Sequence, residues 1–332
     1  MTFLILAAFL SLEATGEVKC NAGVSDMAGS GNVLSSWETG GDTDSSGSLG
    51  REAEPKTWRD LANEELAEKM MKSIAEAYAE KIDSVEYRNG DWAVLMEGKW
   101  YYYADFHLLP EELLPLKENY APQSFYEYFS HLPEWKAYEG ETAERLRNVL
   151  KDRRDPKKNQ PRRDSSFFDT IWSARGHKES YYNIVYISFL GKSVSVHKAL
   201  AERLAKVEAR INRAAKTDPV VRYWINNIGS VGGWSWRNVA GTGNRSFHAY
   251  GAALDILPKR YKNLHVYWLW SAEFNDEWYN IPYSRRWHPP DSVVKAFEAH
   301  GFCWGGKWQL FDTMHFEYRP EIMLMFDMPF EN

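Results

Sequence analysis

The stretch Ser246-Phe-His-Ala-Tyr-Gly-Ala-Ala-Leu-Asp255 sets a histidine and an aspartate on either side of a glycine. Gly251 permits a tight turn, so His248 can end one strand or loop while Asp255 lies on the next strand, both facing one point. Further on, Asp312-Thr-Met-His-Phe-Glu317 supplies a second histidine, His315, and lets one local segment place a ligand and the Asp312 carboxyl together. Two imidazoles and one carboxylate are a sensible zinc set, because a catalytic site takes three ligands from the protein and leaves the fourth position for water. One carboxylate lowers the charge of the site without exhausting the Lewis acidity of the metal. His248, Asp255 and His315 are therefore the candidate ligands of one Zn2+ per chain.

Composition narrows the remaining choices. The chain has 332 residues, a net charge of -6 and 44% hydrophobic residues, enough to bury a real core and unlike a disordered or collagen-like sequence. An acidic balance argues against a nucleic-acid binder, which needs a basic face. The two cysteines, Cys20 and Cys303, cannot build a disulfide framework or a cysteine-rich zinc module, so a metal must be held by His and carboxylates. No HExxH, GxSxG, P-loop, complete GxGxxG or CxxC occurs. His107, His131, His177, His197, His265, His288 and His300 read as packed or surface residues, and Cys303 as a small buried hydrophobe.

Working outward, Phe3–Leu12 is an apolar run of signal-peptide length, so residues 1–16 read as an export leader, although no Lys or Arg precedes it. That points to the cell envelope or periplasm, with no transmembrane helix in the mature chain. Cys20 offers a lipid anchor, but Lys19 before it is unlike the small residue such a site needs. Residues 17–56 are a Gly/Ser-rich tether. Residues 57–150 read as a helical and hairpin region of unknown role: a helix over Thr57–Ile82, then strands at Ser84–Arg88, Trp92–Met96 and Lys99–Ala104, then proline-punctuated helical pieces. The basic run at 151–164 reads as a linker to a domain at 165–332. There Tyr182–Phe189 suggests a buried strand, Val196–Ala215 a helix, and Val220–Ile228 another strand. Pro289-Pro290-Asp291-Ser292 starts a helix that Gly301 ends.

The run SFHAYGAALD resembles the SxHxxGxAxD signature of the zinc D-alanyl-D-alanine carboxypeptidase family, which includes VanY-type enzymes and L-alanyl-D-glutamate endopeptidases and has a Hedgehog-like fold. Gly301-Phe-Cys-Trp304-Gly-Gly-Lys-Trp308 with Asp312-x-x-His315-Phe-Glu317 resembles the closing segment of one branch, and Arg237-Asn-Val-Ala-Gly-Thr242 its lead-in. The resemblance covers residues 230–320. It implies an α+β fold, with a small antiparallel sheet carrying the zinc site, flanked by helices and preceded by the N-terminal extension. It also implies a metallopeptidase acting on peptidoglycan peptides, with Asp312 as the catalytic carboxylate moving the proton of a zinc-activated water. Arg237 is the candidate to stabilise the oxyanion or grip a substrate carboxylate. Ser246 and Glu317 are candidates to orient the ligands, and Arg245, Trp304 and Trp308 to contact substrate. The alternatives are a non-catalytic zinc-containing wall-binding module of the same fold, and an exported zinc peptidase acting on other peptides.

Of 15 tryptophans, many fall around these motifs, and residues 258–290 are dense in Trp and Tyr. They can form the aromatic walls of a substrate groove, or an unusually aromatic core.

Overall fold

The computed structural model describes residues 61–155 and 161–331. The expected leader, the tether, Cys20 and the first residues of the expected N-terminal helix lie outside the described residues.

Helix α1 spans Asn63–Ala77 and turns Leu66, Met70, Met71 and Ile74 inward, the spacing of a single helical face. Strands β1 (Ser84–Arg88), β2 (Asp91–Met96), β3 (Lys99–Tyr102) and β4 (Leu109–Pro110) follow as one antiparallel sheet in sequence order. The expected Asn89-Gly90 turn is present, both residues having positive φ. A 3-10 segment at Glu111–Asn119 and an irregular stretch lead into α2, Gly140–Arg154. The first residues of the expected linker, Lys151–Arg154, are thus the last turn of a helix. Nothing in that charged run breaks a helix until Pro156, and Asp155 before it is extended at φ -88, ψ 105.

Strands β5 (Ile184–Phe189) and β6 (Lys192–His197) form a separate hairpin. The first was expected to be buried, but one side faces solvent and Tyr186 is 75% exposed. Helix α3 (Ala201–Thr217) buries Leu204, Val207 and Ile211. The run expected as a strand at Val220–Ile228 is mostly helix α4, Pro219–Asn226. Its β-branched and aromatic content was outweighed by an N-terminal signal: the Asp218 carboxylate accepts from Val220 N–H at 2.8 Å, and Pro219 occupies the first helical position. Then come β7 (Ile228–Gly232), β8 (Ala253–Pro258), α5 (Asp291–Glu298), β9 (Phe302–Trp304), β10 (His315–Tyr318) and α6 (Pro320–Met325).

The second four-stranded sheet has the order β7-β8-β10-β9, all antiparallel, so the chain is α+β with small antiparallel sheets. Phe297 of α5 stacks on Phe316 of β10 at 3.9 Å between ring centres, fixing the helix against the sheet. One continuous apolar core contains Met70 and Ile74 of α1, Val94 of β2, Val207 of α3, Ile256 of β8 and Phe316 of β10. Residues on both sides of the expected linker therefore share a core, because α1 packs against α6 at the far end of the chain.

Candidate metal centre

The register of the second sheet creates the site. His315, the first residue of β10, lies opposite Asp255 of β8, and Asp255 lies opposite Gly232 of β7. His248 comes from a 3-10 turn at Phe247–Tyr250 that ends at Gly251 with φ +69. A Cβ on Gly251 would come within 2.6 Å of the His197 backbone nitrogen, so both conformation and space require glycine there. Ser246 caps the turn, its hydroxyl accepting from His248 N–H at 3.3 Å.

The three groups converge. His248 Nε2 is 3.1 Å from Asp255 Oδ2, His315 Nδ1 is 2.9 Å from Asp255 Oδ1, and the two ring nitrogens are 3.3 Å apart. Bonds of about 2.0–2.1 Å to one tetrahedral ion would space its ligands about 3.3 Å apart, and one donor atom from each residue lies within 4.8 Å of the others, close enough to share such an ion. The far sides of the rings agree. His248 Nδ1 lies 2.7 Å from Gly233 O and His315 Nε2 lies 3.2 Å from Glu317 Oε2, so each distal N–H donates and each lone pair faces the Asp255 carboxylate. Two lone pairs and a carboxylate turned on one another repel unless a cation or protons lie between them. The donor set thus fits a metal, and His248, Asp255 and His315 are the group of described residues able to hold one.

Burial disfavours charge on His315, but hydrogen bonds with Asp255 and Glu317 outweigh it and raise its pKa to about 10. Burial likewise opposes ionisation of Asp255 and Glu317, yet His248 and His315 hold Asp255 well below the usual carboxylate range. Hydrogen bonding to His315 and the charge of Arg319 bring Glu317 down to about 2. Asp312 behaves oppositely. Burial, with Asp255 adding to it, pushes its carboxyl up to about 8 against the pull of His315 and Arg237. Its Oδ1 is sealed from solvent with no hydrogen-bond partner among the described residues.

The other expected site residues divide. Arg237 lies at the open side, 43% exposed, with its Nη2 3.8 Å from Asp255 Oδ2. Trp308 places its ring 5.4 Å from that of His315. Arg245 donates to Asp169 at 2.8 Å and to Ala174 O at 3.0 Å, and lies over the Trp236 ring. Trp304 is buried in β9 with its indole N–H donating to Thr313 O at 2.9 Å, which removes it from substrate contact. The aromatic segment at 258–290 is largely core: Trp268 and Trp278 pack with Tyr279 and Phe311 against Ala143 and Leu146 of α2. Groove walls were expected from these side chains only because both ends of the segment adjoin the site.

Sequence reasoning missed Gly233, Tyr126, Tyr267 and Arg319. Tyr267 bridges to Asp312 in the backbone, and burial together with the Asp312 carboxylate raises its phenol. None of these carries a local signal except Arg319, two residues after Glu317 and just past the end of β10.

No helix among the described residues is long and apolar enough to cross a membrane. No curated protein and no solved structure matches the chain. Residues 70–125 match a domain family of unknown function. Residues 240–318, which hold His248, Asp255, Asp312 and His315, match the family model described as D-alanyl-D-alanine carboxypeptidase, a family of zinc-dependent peptidases, and this supports that family for the C-terminal part of the chain.

Proposed function

We propose that the chain is a zinc metallopeptidase that hydrolyses stem peptides of bacterial peptidoglycan, as a D-alanyl-D-alanine carboxypeptidase or an L-alanyl-D-glutamate-type endopeptidase. The observation that carries this reading is the convergence of His248, Asp255 and His315 with both distal ring nitrogens already committed. A bound zinc ion supplies Lewis acidity toward a peptide carbonyl and toward water, whose pKa it lowers from about 16 to about 7.

The chain's own residues supply the rest. Asp312, buried beside His315 and Asp255 with one carboxyl oxygen lacking a partner among the described residues, takes a proton from the attacking water as a carboxylate and returns it to the leaving amine. Arg237 at the open side offers a guanidinium fork for the developing oxyanion or for a substrate carboxylate. Glu317 and Gly233 fix the two imidazoles, and Ser246 fixes the turn that carries His248. The Asp312 Oδ1, without a hydrogen-bond partner among the described residues, favours an enzyme over a wall-binding module, since an unsatisfied buried oxygen costs stability. Export to the envelope, by a removed leader or a lipid anchor at Cys20, would bring the enzyme to this substrate.

Mass spectrometry of muropeptides incubated with the zinc-loaded protein tests the assignment. Loss of a terminal D-Ala identifies the carboxypeptidase, and a cut between L-Ala and D-Glu identifies the endopeptidase. A zinc-loaded protein that leaves every wall peptide intact refutes the peptidoglycan reading.

A further inference from the structure

Behind His315 lies a buried chain of polar groups that the reaction does not use. Arg319 is 1% exposed. Its Nη1 donates to Glu317 Oε1 at 3.1 Å, its Nε to Glu321 Oε1 at 2.5 Å and its Nη2 to Ser124 O at 2.8 Å. Phe247 closes over the guanidinium at 4.6 Å, and Phe125 and Phe168 flank it. An unpaired charge at such depth is strongly unfavourable, so the two carboxylates are what allow Arg319 to remain there.

Two phenols complete the chain, and both come from the N-terminal part of the molecule. The Tyr126 hydroxyl donates to Glu317 Oε1 at 2.9 Å, and the hydroxyl of Tyr78, directly after α1, donates to Glu321 Oε2 at 2.7 Å. Glu317 therefore has one oxygen on His315 and the other held by two donors. Its carboxylate cannot swing without breaking both.

We propose that Tyr126, Arg319 and Tyr78 are positioning residues for His315, so that the N-terminal region acts as a clamp on the C-terminal metal centre; this rests on the zinc reading above. Tyr126 and Arg319 pin Glu317, Glu317 orients the imidazole, and Glu321 with Tyr78 pins Arg319. The region that matches a family of unknown function, together with the stretch directly after it, thereby acquires a role in metal binding.

Tyr128 supplies the internal control. It lies on the same stretch of chain and is the more deeply buried of the two, but its hydroxyl bonds Glu298 and the Trp304 N–H rather than Glu317. Zinc dissociation constants of the full chain, by chelator competition, should rise about tenfold or more for Tyr126→Phe, less for Tyr78→Phe, and stay within twofold for Tyr128→Phe. Metal-free melting curves of the same variants show whether each still folds. A Tyr126→Phe protein binding zinc within twofold of the parent, or a Tyr128→Phe protein weakened as much, would overturn the clamp while leaving the zinc site standing. A parent protein that takes up no zinc would refute the zinc reading, and the clamp with it.

Discussion

In the N-terminal sheet each strand pairs with its neighbour in sequence, β1 through β4, whereas in the C-terminal sheet β10 lies between β8 and β9, the former separated from it by a long aromatic segment. The first is built from tight turns such as Asn89-Gly90 and closes few long loops. The second must close a long loop before β8 can pair with β10, and it alone brings His315 opposite Asp255. Local wiring makes a scaffold, while non-local wiring gathers groups distant in sequence onto one point. The polar chain through Arg319 ties the two together.

The contrast can be broken most severely at the ligands. His248→Ala should take zinc content from about one ion per chain to none and abolish turnover, while the N-terminal sheet stays folded; metal analysis and circular dichroism read both. A variant that keeps its zinc would show that the C-terminal sheet does not gather the ligands as described. Asp312→Ala separates chemistry from binding: zinc is retained and kcat falls by roughly 10²–10⁴-fold. Full activity in that variant removes Asp312 from the reaction.

A smaller effect sharpens the comparison through pH. His197 N–H donates to Gly251 O at 2.9 Å and so supports the turn between His248 and Asp255. Its Nδ1 accepts from Ala199 N–H, and its ring is buried. Burial lowers its pKa from 6.5 to about 4, with Lys198 and Lys81 contributing. The unfolded chain thus binds this proton first as pH falls. The stabilisation is complete above pH 6.5 and lost progressively down to about 4, amounting to about 3 kcal/mol. Denaturant titrations of the metal-free protein across that window should show the loss, and His197→Gln should flatten it. An unchanged slope would place the proton elsewhere.

The smallest effect belongs to the scaffold. Gly90 has φ +85, and Gly90→Ala should cost about 1 kcal/mol in thermal stability with zinc uptake unchanged. Altered zinc affinity would mean that the N-terminal sheet reaches the metal by more than the Arg319 chain.

Local information carried some elements and misled on others. The hairpins at 84–104 and the helix after Pro290 were legible because turn and cap residues specify them over a few positions. The helix at Pro219–Asn226 was misread from its β-branched residues although Asp218-Pro219 announced it. Trp268 and Trp278 could not be sorted between core and groove, because only the docking of α2 determines which side of that segment is covered.

Residue type and order alone determined the candidate metal-ligand set, since few side chains can hold such an ion and three motifs occur together in one succession. Tertiary structure decided which groups stand behind those ligands. Tyr78, Tyr126 and Arg319 meet Glu317 and Glu321 only because an N-terminal helix packs on the last one, a non-local contact that no short-range pattern encodes.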